Sequence, residues 1–272
     1  MKILRNKVAA VTGAASGIGR MLAVNLAREG CHLALSDVDD RGLRETAAMI
    51  HEGVRVTMHH VDVADRTQVY AYADETARQH GCADIIINNA GVAVCDTLED
   101  VSYENFEWLF GINFWGVVYG TRAFLPLLRK RPEGHIVNIS SINAMVPFSN
   151  NGPYNAAKSA VMGFTETLVQ ELDGSTVRVS CVHPGGIKTN IAHNARFCKH
   201  VNPDKPHEDV ARTFERIART TADRAARVII AGIRKNRRRI LIGPDARFMD
   251  FQKRLAPVLT NVLTGRIMRS MD

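Results

Sequence analysis

The stretch VAAVTGAASGIG, residues 8–19, decides the fold. It begins as a short apolar run typical of a buried strand and continues into a glycine-rich turn with the spacing G-x-x-x-G-x-G. An amphipathic helical pattern follows at 17–29. Glycines in such a turn let the backbone approach a pyrophosphate, and the helix N-terminus supplies N–H donors and positive potential. The stretch therefore predicts a dinucleotide-binding turn, with a plain tight turn as the alternative.

Apolar runs and helical patterns alternate along the rest of the chain. Strands are predicted at 8–12, 31–36, 54–60, 84–88, 134–140 and 176–183. Helices are predicted at 17–29, 39–52, 65–80, 102–130 and 153–172. This order predicts an α/β fold with a Rossmann-type doubly wound parallel sheet, in which ligands bind at the carboxyl ends of the strands.

In the C-terminal third the regular alternation of predicted strands and helices ends. A polar and amphipathic stretch reaches about residue 220, a helix follows from 221 with Thr221 as its N-cap, and then come a strand at 239–243 and a last helix from about 246. No linker separates these parts, so a single domain is predicted over 1–272. Within it we assign 1–190 to a cofactor and catalytic core, 191–220 to a substrate lid and 221–272 to C-terminal helices and the last strand.

An acidic residue ends the second predicted strand. Asp37 stands 18 residues beyond Gly19, where a carboxylate accepts hydrogen bonds from adenosine ribose hydroxyls and repels a 2′-phosphate. No Arg or Lys lies in the glycine turn before Ile18. NAD is therefore favoured over NADP, although Asp37 as a turn or helix-cap residue is an alternative.

The segment YNAAK, residues 154–158, places Tyr154 and Lys158 four positions apart on a predicted helix. Side chains at i and i+4 lie on one face of a helix. A nearby cation lowers the pKa of a phenol by about 1–3 units, so this pair suits a proton-transferring tyrosine. The alternative is an exposed helix that carries an unrelated lysine.

Composition limits the class of protein. The 272 residues are 46% hydrophobic and 23% charged, as in an ordinary globular domain. Five cysteines without a CxxC pair fit reduced thiols, and neither a signal peptide nor a run of about 18 apolar residues is visible. We expect a cytoplasmic protein. The pair His59 and His60 has no HExxH or carboxylate cluster beside it, so no metal site is predicted.

Positive charge is concentrated at the C-terminus. Residues 212–272 hold 15 Lys and Arg against five Asp and Glu, with the densest part, RKNRRR, at 234–239. Such a segment suits an anionic membrane or nucleic acid, but we favour a solvated helix end and predict no nucleic-acid partner. Pro257 interrupts the apolar and basic stretch that follows. We expect two short helices that close the substrate pocket or pack on a neighbouring subunit, with peripheral membrane contact as the less favoured alternative.

From residue 7 to 190 the sequence resembles the short-chain dehydrogenase/reductase family almost continuously. The motifs that carry the resemblance are TGAASGIG at 12–19, VDV at 61–63, NNAG at 88–91, SS at 140–141, YNAAK at 154–158 and HPGGIKT at 183–189. The resemblance implies a catalytic set of Asn113, Ser141, Tyr154 and Lys158. In it, Tyr154 is the general acid or base, Lys158 lowers the pKa of that tyrosine and holds the nicotinamide ribose, Ser141 hydrogen-bonds the reacting oxygen, and Asn113 ties a water chain to the lysine.

The same resemblance, together with the glycine turn and Asp37, gives the expected cofactor contacts. They are Gly13, Ser16, Gly17, Ile18, Gly19, Asp37, Asp62, Val63, Asn89, Ala90, Gly91, Tyr154, Lys158, Pro184, Gly185, Ile187 and Thr189.

The predicted function is an NAD-dependent oxidoreductase that interconverts a secondary, lipophilic alcohol and its ketone. Apolar residues near the predicted cleft, at 92–94 and at 145, 146 and 148, favour an apolar small-molecule substrate, unless they only pack beneath the cleft. The C-terminus looks more like that of family members acting on lipophilic alcohols, retinoids or steroids than that of acyl-carrier-protein reductases. The alternatives are an NADPH-linked reductase of ketones or 3-oxoacyl thioesters and a non-catalytic dinucleotide-binding scaffold or redox sensor. The resemblance also implies a homodimer or homotetramer built on the helices at 102–130 and 153–172.

Overall fold

A computed structural model of the chain describes residues 1–51, 53–197 and 218–271. Strands in these residues are β1 (Val8–Thr12), β2 (His32–Asp37), β3 (Val56–His60), β4 (Ile85–Asn88), β5 (Val94–Cys95), β6 (Gly134–Ile139), β7 (Val177–Pro184), β8 (Ile187–Lys188), β9 (Arg196–Phe197), β10 (Thr220–Thr221) and β11 (Arg239–Ile242). Helices are α1 (Gly17–Arg28), α2 (Asp40–Ala48), α3 (Arg66–His80), α4 (Tyr103–Phe110), α5 (Gly116–Arg129), α6 (Gly152–Glu171), α7 (Ala222–Arg234), α8 (Pro244–Leu255) and α9 (Pro257–Met271). The predicted lid at 191–220 lies outside the described residues except at its two ends.

Seven strands form one parallel sheet in the order β3-β2-β1-β4-β6-β7-β11. Strand β1 pairs with β2 on one side and with β4 on the other, so the chain winds outward from β1 in both directions. The predicted Rossmann-type, doubly wound single domain is confirmed. The direction of winding reverses beside β1, and a crevice for ligands opens there at the carboxyl ends of β1 and β4.

The two faces of the sheet are covered by different helices. Successive strand residues point to opposite faces. Ala9 and Val11 of β1 therefore pack in one apolar cluster with residues of α1 and α7, among them Leu22, Leu26, Ile229 and Ile233. Ala10, on the other face, belongs to a second cluster with residues of α3, α5 and α6, among them Val69, Tyr72, Phe124 and Leu168. Burial on both faces explains why these strands read as continuous apolar runs in the sequence.

The predicted helix at 102–130 is divided in the structure. A π-helical turn, Gly111–Trp115, separates α4 from α5. Single π turns insert one extra residue into a helix and re-aim the side chains around it. Here the buried residue of the turn is Asn113, whose place in the site is described below. The hydrophobic periodicity of the sequence does not reveal such an insertion because the apolar pattern continues on both sides of it.

The chain ends in two helices, as the interruption at Pro257 predicts. Helix α8 begins at Pro244, two residues before the predicted start, and α9 begins at Pro257. Proline is favoured at the first position of a helix because its missing N–H would have no intrahelical partner there. Among the described residues, no helix has both the length and the apolar character that crossing a bilayer requires.

Thr221 caps α7, as the sequence predicts. Its Oγ1 accepts a hydrogen bond from the backbone N–H of Arg224 at 3.2 Å. We expect Thr221→Ala to lower the free energy of unfolding by about 1 kcal/mol, because one N–H at the helix start loses its acceptor. Urea unfolding checks this, with Thr221→Ser, which keeps a hydroxyl, as the control. Equal stability of the alanine variant and the native protein would contradict the assignment.

Candidate active site

The turn between β1 and α1 is compact because its glycines occupy positions that a side chain would fill. Gly13 has a φ of 66°, and a Cβ on it would lie 2.8 Å from Ala90 Cα. A Cβ on Gly19 would overlap the carbonyl oxygen of Gly13. The first turn of α1 contains no acidic residue, and the Ser16 side chain makes no capping hydrogen bond. A tight approach to uncapped N–H groups at a helix start fits the pyrophosphate of a dinucleotide.

Asn89 joins the end of β4 to this turn. Its Nδ2 donates to the carbonyl oxygens of Thr12 and Gly13 at 2.9 and 3.1 Å. The backbone N–H groups of Asn89 and Ala90 both donate to Thr12 Oγ1, at 3.0 and 3.1 Å. These bonds hold Ala90 and Gly91 beside the glycine turn, inside the crevice.

Asp37 lies at the end of β2 with its carboxylate against the same turn. The N–H of Ala15 donates to Oδ2 at 2.9 Å, and the N–H of Asp39 donates to Oδ1 at 3.1 Å. Two arginines lie near this end of the sheet, and each is paired with Glu45: Nη2 of Arg20 at 3.0 Å and Nε of Arg41 at 3.2 Å. The carboxylate of Asp37 is therefore placed to meet a ribose, while these two cations already have an anionic partner.

Asp62 and Val63 follow β3, at the next position along the edge. Asp62 is exposed, and its Oδ1 accepts from the N–H of Ala64 at 2.9 Å. Val63 is buried against α5, where a Cβ on Gly116 would lie 2.9 Å from Val63 Cγ2. Asp62 thus presents a carboxylate at the rim, and Val63 belongs to the packed wall beneath it.

Tyr154 and Lys158 occupy successive turns of α6, on one face as predicted. The ammonium nitrogen of Lys158 lies 5.7 Å from the centroid of the Tyr154 ring and donates to the carbonyl oxygen of Ile139 at 3.0 Å. A Cβ on Gly91 would stand 3.5 Å from Lys158 Nζ and 3.2 Å from Asn113 Oδ1. The absence of a side chain at Gly91 therefore leaves room for two members of the predicted catalytic set, Asn113 and Lys158, to approach each other.

Asn113 is fully buried and holds the loop after β4. Its Oδ1 accepts from the N–H of Val92 at 2.8 Å, and its Nδ2 donates to the carbonyl oxygen of Val92 at 2.9 Å. The π turn interrupts the regular α-helical hydrogen-bond pattern and directs this amide toward the interior. Asn113 therefore fixes the backbone that borders the cleft, in addition to lying beside Lys158.

The electrostatics of the pair differ from the sequence expectation. Burial raises the pKa of the Tyr154 hydroxyl above its usual value, and a hydrogen bond with Ser141 opposes this rise. Burial also lowers the pKa of Lys158 to about 8. In the protein alone, desolvation is therefore the largest influence on both groups, because a site of low polarity disfavours both charged forms. Tyr154 is held protonated and able to donate.

Three polar residues that the sequence analysis did not single out hold Ser141 in place. The N–H of Asn143 donates to Ser141 Oγ at 3.1 Å, and Asn143 Nδ2 donates to Asn155 Oδ1 at 3.0 Å. His183 Nδ1 lies 3.2 Å from the carbonyl oxygen of Ser141. Burial lowers the pKa of His183 to about 4, so the ring is neutral and Nδ1–H is the donor. Asn155 and His183 lie inside YNAAK and HPGGIKT, but a motif does not reveal which backbone group a side chain meets.

The segment after β7 returns to the glycine turn. A Cβ on Gly17 would lie 3.3 Å from Thr189 Cγ2, which places Thr189 next to the predicted pyrophosphate site. Pro184 ends β7, and Ile187 is buried in the core cluster that includes the residues of α1. A Cβ on Gly185 would overlap the carboxylate of Asp245, which accepts from the N–H of Gly186 at 2.6 Å. Asp245 is a further residue that sequence reasoning missed.

The predicted apolar lining divides into two groups. Val94 and Val146 are fully buried and pack beneath the cleft, as the alternative interpretation allowed. Val92, Ala93, Met145 and Phe148 are partly exposed. Val92 also shares an apolar cluster with Tyr154 and Trp108. The partly exposed group leaves an apolar border on the side of the tyrosine.

Most predicted site residues therefore meet at one edge of the sheet, and Asp62 lies at its rim. Among the described residues, no group of three or more His, Cys, Asp and Glu side chains is placed to hold a metal ion. The open glycine turn, the carboxylate of Asp37 beside it and the buried Tyr154–Lys158 pair fit a nicotinamide dinucleotide.

Comparison with known proteins agrees with this arrangement. The family model for short chain dehydrogenases matches residues 7–198. The oxidoreductase SadH of Mycobacterium tuberculosis is 40% identical over 259 residues, which cover 94% of this chain and 92% of SadH. A short chain dehydrogenase/reductase from Burkholderia phymatum, crystallised in complex with NAD, superposes with a TM-score of 0.85 at 30% identity over 94% of this chain and 96% of its own. Levodione reductase superposes with a TM-score of 0.77 at 28% identity over 88% and 95% of the two chains.

The matches to SadH and to the Burkholderia protein extend over 94% of the chain, and they agree with the strand order, the glycine turn and the placement of Tyr154 beside Lys158. The protein belongs to the short-chain dehydrogenase/reductase family and is an NAD(P)-dependent oxidoreductase.

Proposed function

We propose that this enzyme interconverts a secondary, lipophilic alcohol and its ketone, with NAD as the cofactor and Tyr154 as the proton donor and acceptor. The observation that carries the proposal is the environment of Tyr154. Its ring packs on the apolar cluster of Val94, Leu109 and Ala157, its hydroxyl is hydrogen-bonded with Ser141, and the ammonium nitrogen of Lys158 lies 5.7 Å from the ring centroid. An apolar wall with two adjacent hydroxyls suits the oxygen of a ketone or alcohol better than a substrate polar on all sides.

Each residue has a distinct task in the proposed reaction. A bound nicotinamide dinucleotide supplies or accepts the hydride. In the reduction direction, Tyr154 donates its proton to the substrate oxygen while Ser141 orients that oxygen with a hydrogen bond. Lys158, anchored by the carbonyl oxygen of Ile139, stabilises the tyrosinate that remains. In the oxidation direction Tyr154 takes the hydroxyl proton back.

Asp37 supports the choice of NAD. Its carboxylate is fixed by the N–H groups of Ala15 and Asp39, so it cannot turn aside without losing both bonds. Arg20 and Arg41 are paired with Glu45 and do not offset its charge. The NAD in the crystals of the Burkholderia relative is in line with this assignment.

The alternatives use the same fold with a different cofactor or without turnover. An NADPH-linked reductase of ketones or 3-oxoacyl thioesters would need a cation free to meet the 2′-phosphate near Asp37. A non-catalytic scaffold or redox sensor would have no need of Tyr154, Ser141, Lys158 and Asn113 in one place. The presence of all four in the crevice therefore favours catalysis. We also propose a cytoplasmic location, since the sequence holds five cysteines without a CxxC pair, a pattern that fits reduced thiols.

A turnover assay tests the proposed function directly. The enzyme is offered aliphatic, steroid and sugar alcohols with NAD and with NADP, and the corresponding ketones with the reduced cofactors. We expect the highest kcat/KM for an apolar secondary alcohol or its ketone with the NAD couple. Turnover confined to sugars, or to NADPH with acyl thioesters, would select a different substrate class.

A homo-oligomer is proposed from the outer surface of α5 and α6. Of the apolar residues in the predicted helix at 102–130, Leu109, Val118 and Phe124 are buried within the subunit, whereas Trp115 is 47% exposed. Trp115 stacks on Tyr119, and Phe114 meets Phe164 of α6 edge to face. Together these rings form an aromatic surface of the kind enriched in protein interfaces.

We expect a dimer or tetramer in sedimentation velocity at micromolar concentration. Trp115→Ser should shift the distribution toward smaller species because buried tryptophans carry much of the energy of an interface. Tyr103→Ser, at a residue of α4 that is 85% exposed, is the matched control. A monomer for the native enzyme would refute the assembly.

A further inference from the structure

The two C-terminal helices expose more large apolar side chains than the rest of the described chain does over any comparable length. Between 39% and 75% of each of these side chains is accessible. They are Phe248, Phe251, Leu255, Val258, Leu259, Val262 and Leu263, and we call them the C-terminal patch. Single exposed apolar residues are normal on protein surfaces, but a contiguous set marks a contact site.

The spacing of the patch places its members on one side of each helix. In α8 the residues follow one another at three and four positions, and in α9 two adjacent pairs, Val258 with Leu259 and Val262 with Leu263, stand four positions apart, which is the period of a helix face. Their exposure argues against the expectation that these side chains close the substrate pocket. Leu255 and Val258, on either side of Pro257, are among the most accessible, at 70% and 75%.

On these helices the negative charges face the rest of the protein, and positive charges lie at the surface. Both carboxylates of α8 turn toward the protein: Asp245 accepts from the N–H of Gly186 at 2.6 Å, and Asp250 accepts from Arg239 at 2.6 Å. Arg247 and Arg266 are exposed. Lys253 hydrogen-bonds only neutral groups among its described contacts, Asn261 Oδ1 at 2.7 Å and the carbonyl oxygen of Pro257 at 3.4 Å. The surface around the patch is therefore positive.

We propose that the C-terminal patch binds the surface of an anionic lipid bilayer. Apolar side chains bordered by cations are the pattern of a helix that lies in the membrane interface, where burial of the apolar face adds to attraction by anionic headgroups. A second copy of the chain is less suited to cover it. A two-fold contact of the patch with itself would bring Arg247, Lys253 and Arg266 of both copies together, while the carboxylates of α8 face inward.

The position of the patch agrees with the proposed lipophilic substrate. This link between the patch and the substrate is the one part of the membrane proposal that rests on the proposed function. Helix α8 packs against the turn Ile142–Ala144, which directly follows Ser141. A bilayer held at the patch would lie beside the entrance to the catalytic serine and tyrosine. A lipophilic alcohol dissolved in the membrane would then reach the cleft without crossing water.

Cosedimentation of the full chain with vesicles tests the binding. We expect the enzyme to bind vesicles of phosphatidylcholine with phosphatidylglycerol and to bind phosphatidylcholine alone much more weakly. Binding should fall as salt rises from about 0.1 to about 1 M, because the Debye length shrinks from about 10 to about 3 Å. No binding to the anionic vesicles at low salt would overturn the proposal.

Two variants separate the patch from the rest of the surface. Leu255→Ser combined with Val258→Ser should reduce the partition coefficient for anionic vesicles by at least about tenfold, since two exposed apolar side chains leave the interface. Ile3→Ser is the control because Ile3 is 71% exposed, against 70% for Leu255, and lies at the other end of the chain. Equal binding by all three proteins would overturn the proposal.

Sedimentation velocity without vesicles tests whether a second copy of the chain covers the patch instead of a membrane. If the double variant dissociates an oligomer that the native enzyme forms, and neither protein binds vesicles, the patch is a subunit interface and the membrane assignment is wrong. None of these measurements depends on turnover, so a failure of the substrate proposal is distinguishable from a failure of the membrane proposal.

Discussion

Tyr154→Phe is expected to lower kcat by about 10²–10⁴-fold while leaving the affinity for the cofactor nearly unchanged. The substitution removes one oxygen and the proton it carries, while the ring keeps its place on the apolar cluster of Val94, Leu109 and Ala157. Lys158 remains anchored at Ile139, so the ribose side of the site is not disturbed. The loss falls on the chemical step because the proton that Tyr154 transfers is removed together with its hydroxyl.

Steady-state kinetics and a cofactor titration measure the two effects separately. Tyr119→Phe is a suitable control, since Tyr119 lies on α5 and stacks on Trp115 outside the site. A kcat within a few-fold of the native value would remove Tyr154 from its role. Loss of cofactor binding together with kcat would instead show that the hydroxyl supports the structure of the site.

The raised pKa of Tyr154 indicates the direction of proton transfer for which the unliganded enzyme is prepared. Because burial favours the protonated phenol, the unliganded enzyme is prepared to donate a proton, which is the role needed in ketone reduction. From the sequence alone the pKa of Tyr154 is expected to be lowered, because the i, i+4 spacing indicates the neighbouring cation Lys158 but not the burial of the site. How deeply Tyr154 is buried against the apolar cluster of Val94, Leu109 and Ala157 is a property of the folded chain.

The fold could be predicted from short segments of the sequence because each of them carries a strong pattern. The apolar runs that form β1, β4 and β6 are buried on both faces and leave little ambiguity about a parallel sheet. The glycine turn and the YNAAK helix are read correctly for the same reason: each motif is confined to a few consecutive residues whose geometry is set by spacing.

Other features were not predictable because they depend on contacts between distant segments. The π turn at Gly111–Trp115 exists where Asn113 meets the backbone of Val92, 21 positions away. Asp245 reaches the N–H of Gly186 across 59 positions, and His183 reaches Ser141 across 42. No periodicity in the sequence encodes such pairs. The division of the apolar residues of α5 into core and surface likewise appears only once the neighbouring helices are in place.

NAD is expected to bind at least about tenfold more tightly than NADP, a difference of about 1.4 kcal/mol. The carboxylate of Asp37 is held by two backbone N–H groups and faces the glycine turn. Unit charges about 4 Å apart near a protein surface repel by about 4 kcal/mol, and salt screens part of this, so tenfold is a lower bound for a charged 2′-phosphate. Calorimetric titration of both cofactors gives the ratio, and equal affinities would mean that Asp37 does not face the ribose.

Asp37→Asn isolates the charge from the shape of the loop. Asparagine keeps an oxygen that can accept from the N–H of Ala15, so the turn is retained while the repulsion is removed. We expect NADP to bind more tightly and NAD more weakly, because a neutral amide oxygen is a poorer acceptor for ribose hydroxyls than a carboxylate. Asp39→Asn is the matched control: it removes one charge two residues away, and asparagine can still cap α2 through the N–H of Gly42. If both variants shift the NAD-to-NADP ratio equally, the preference arises from the net charge of this edge, and the specific assignment of Asp37 to the ribose is wrong.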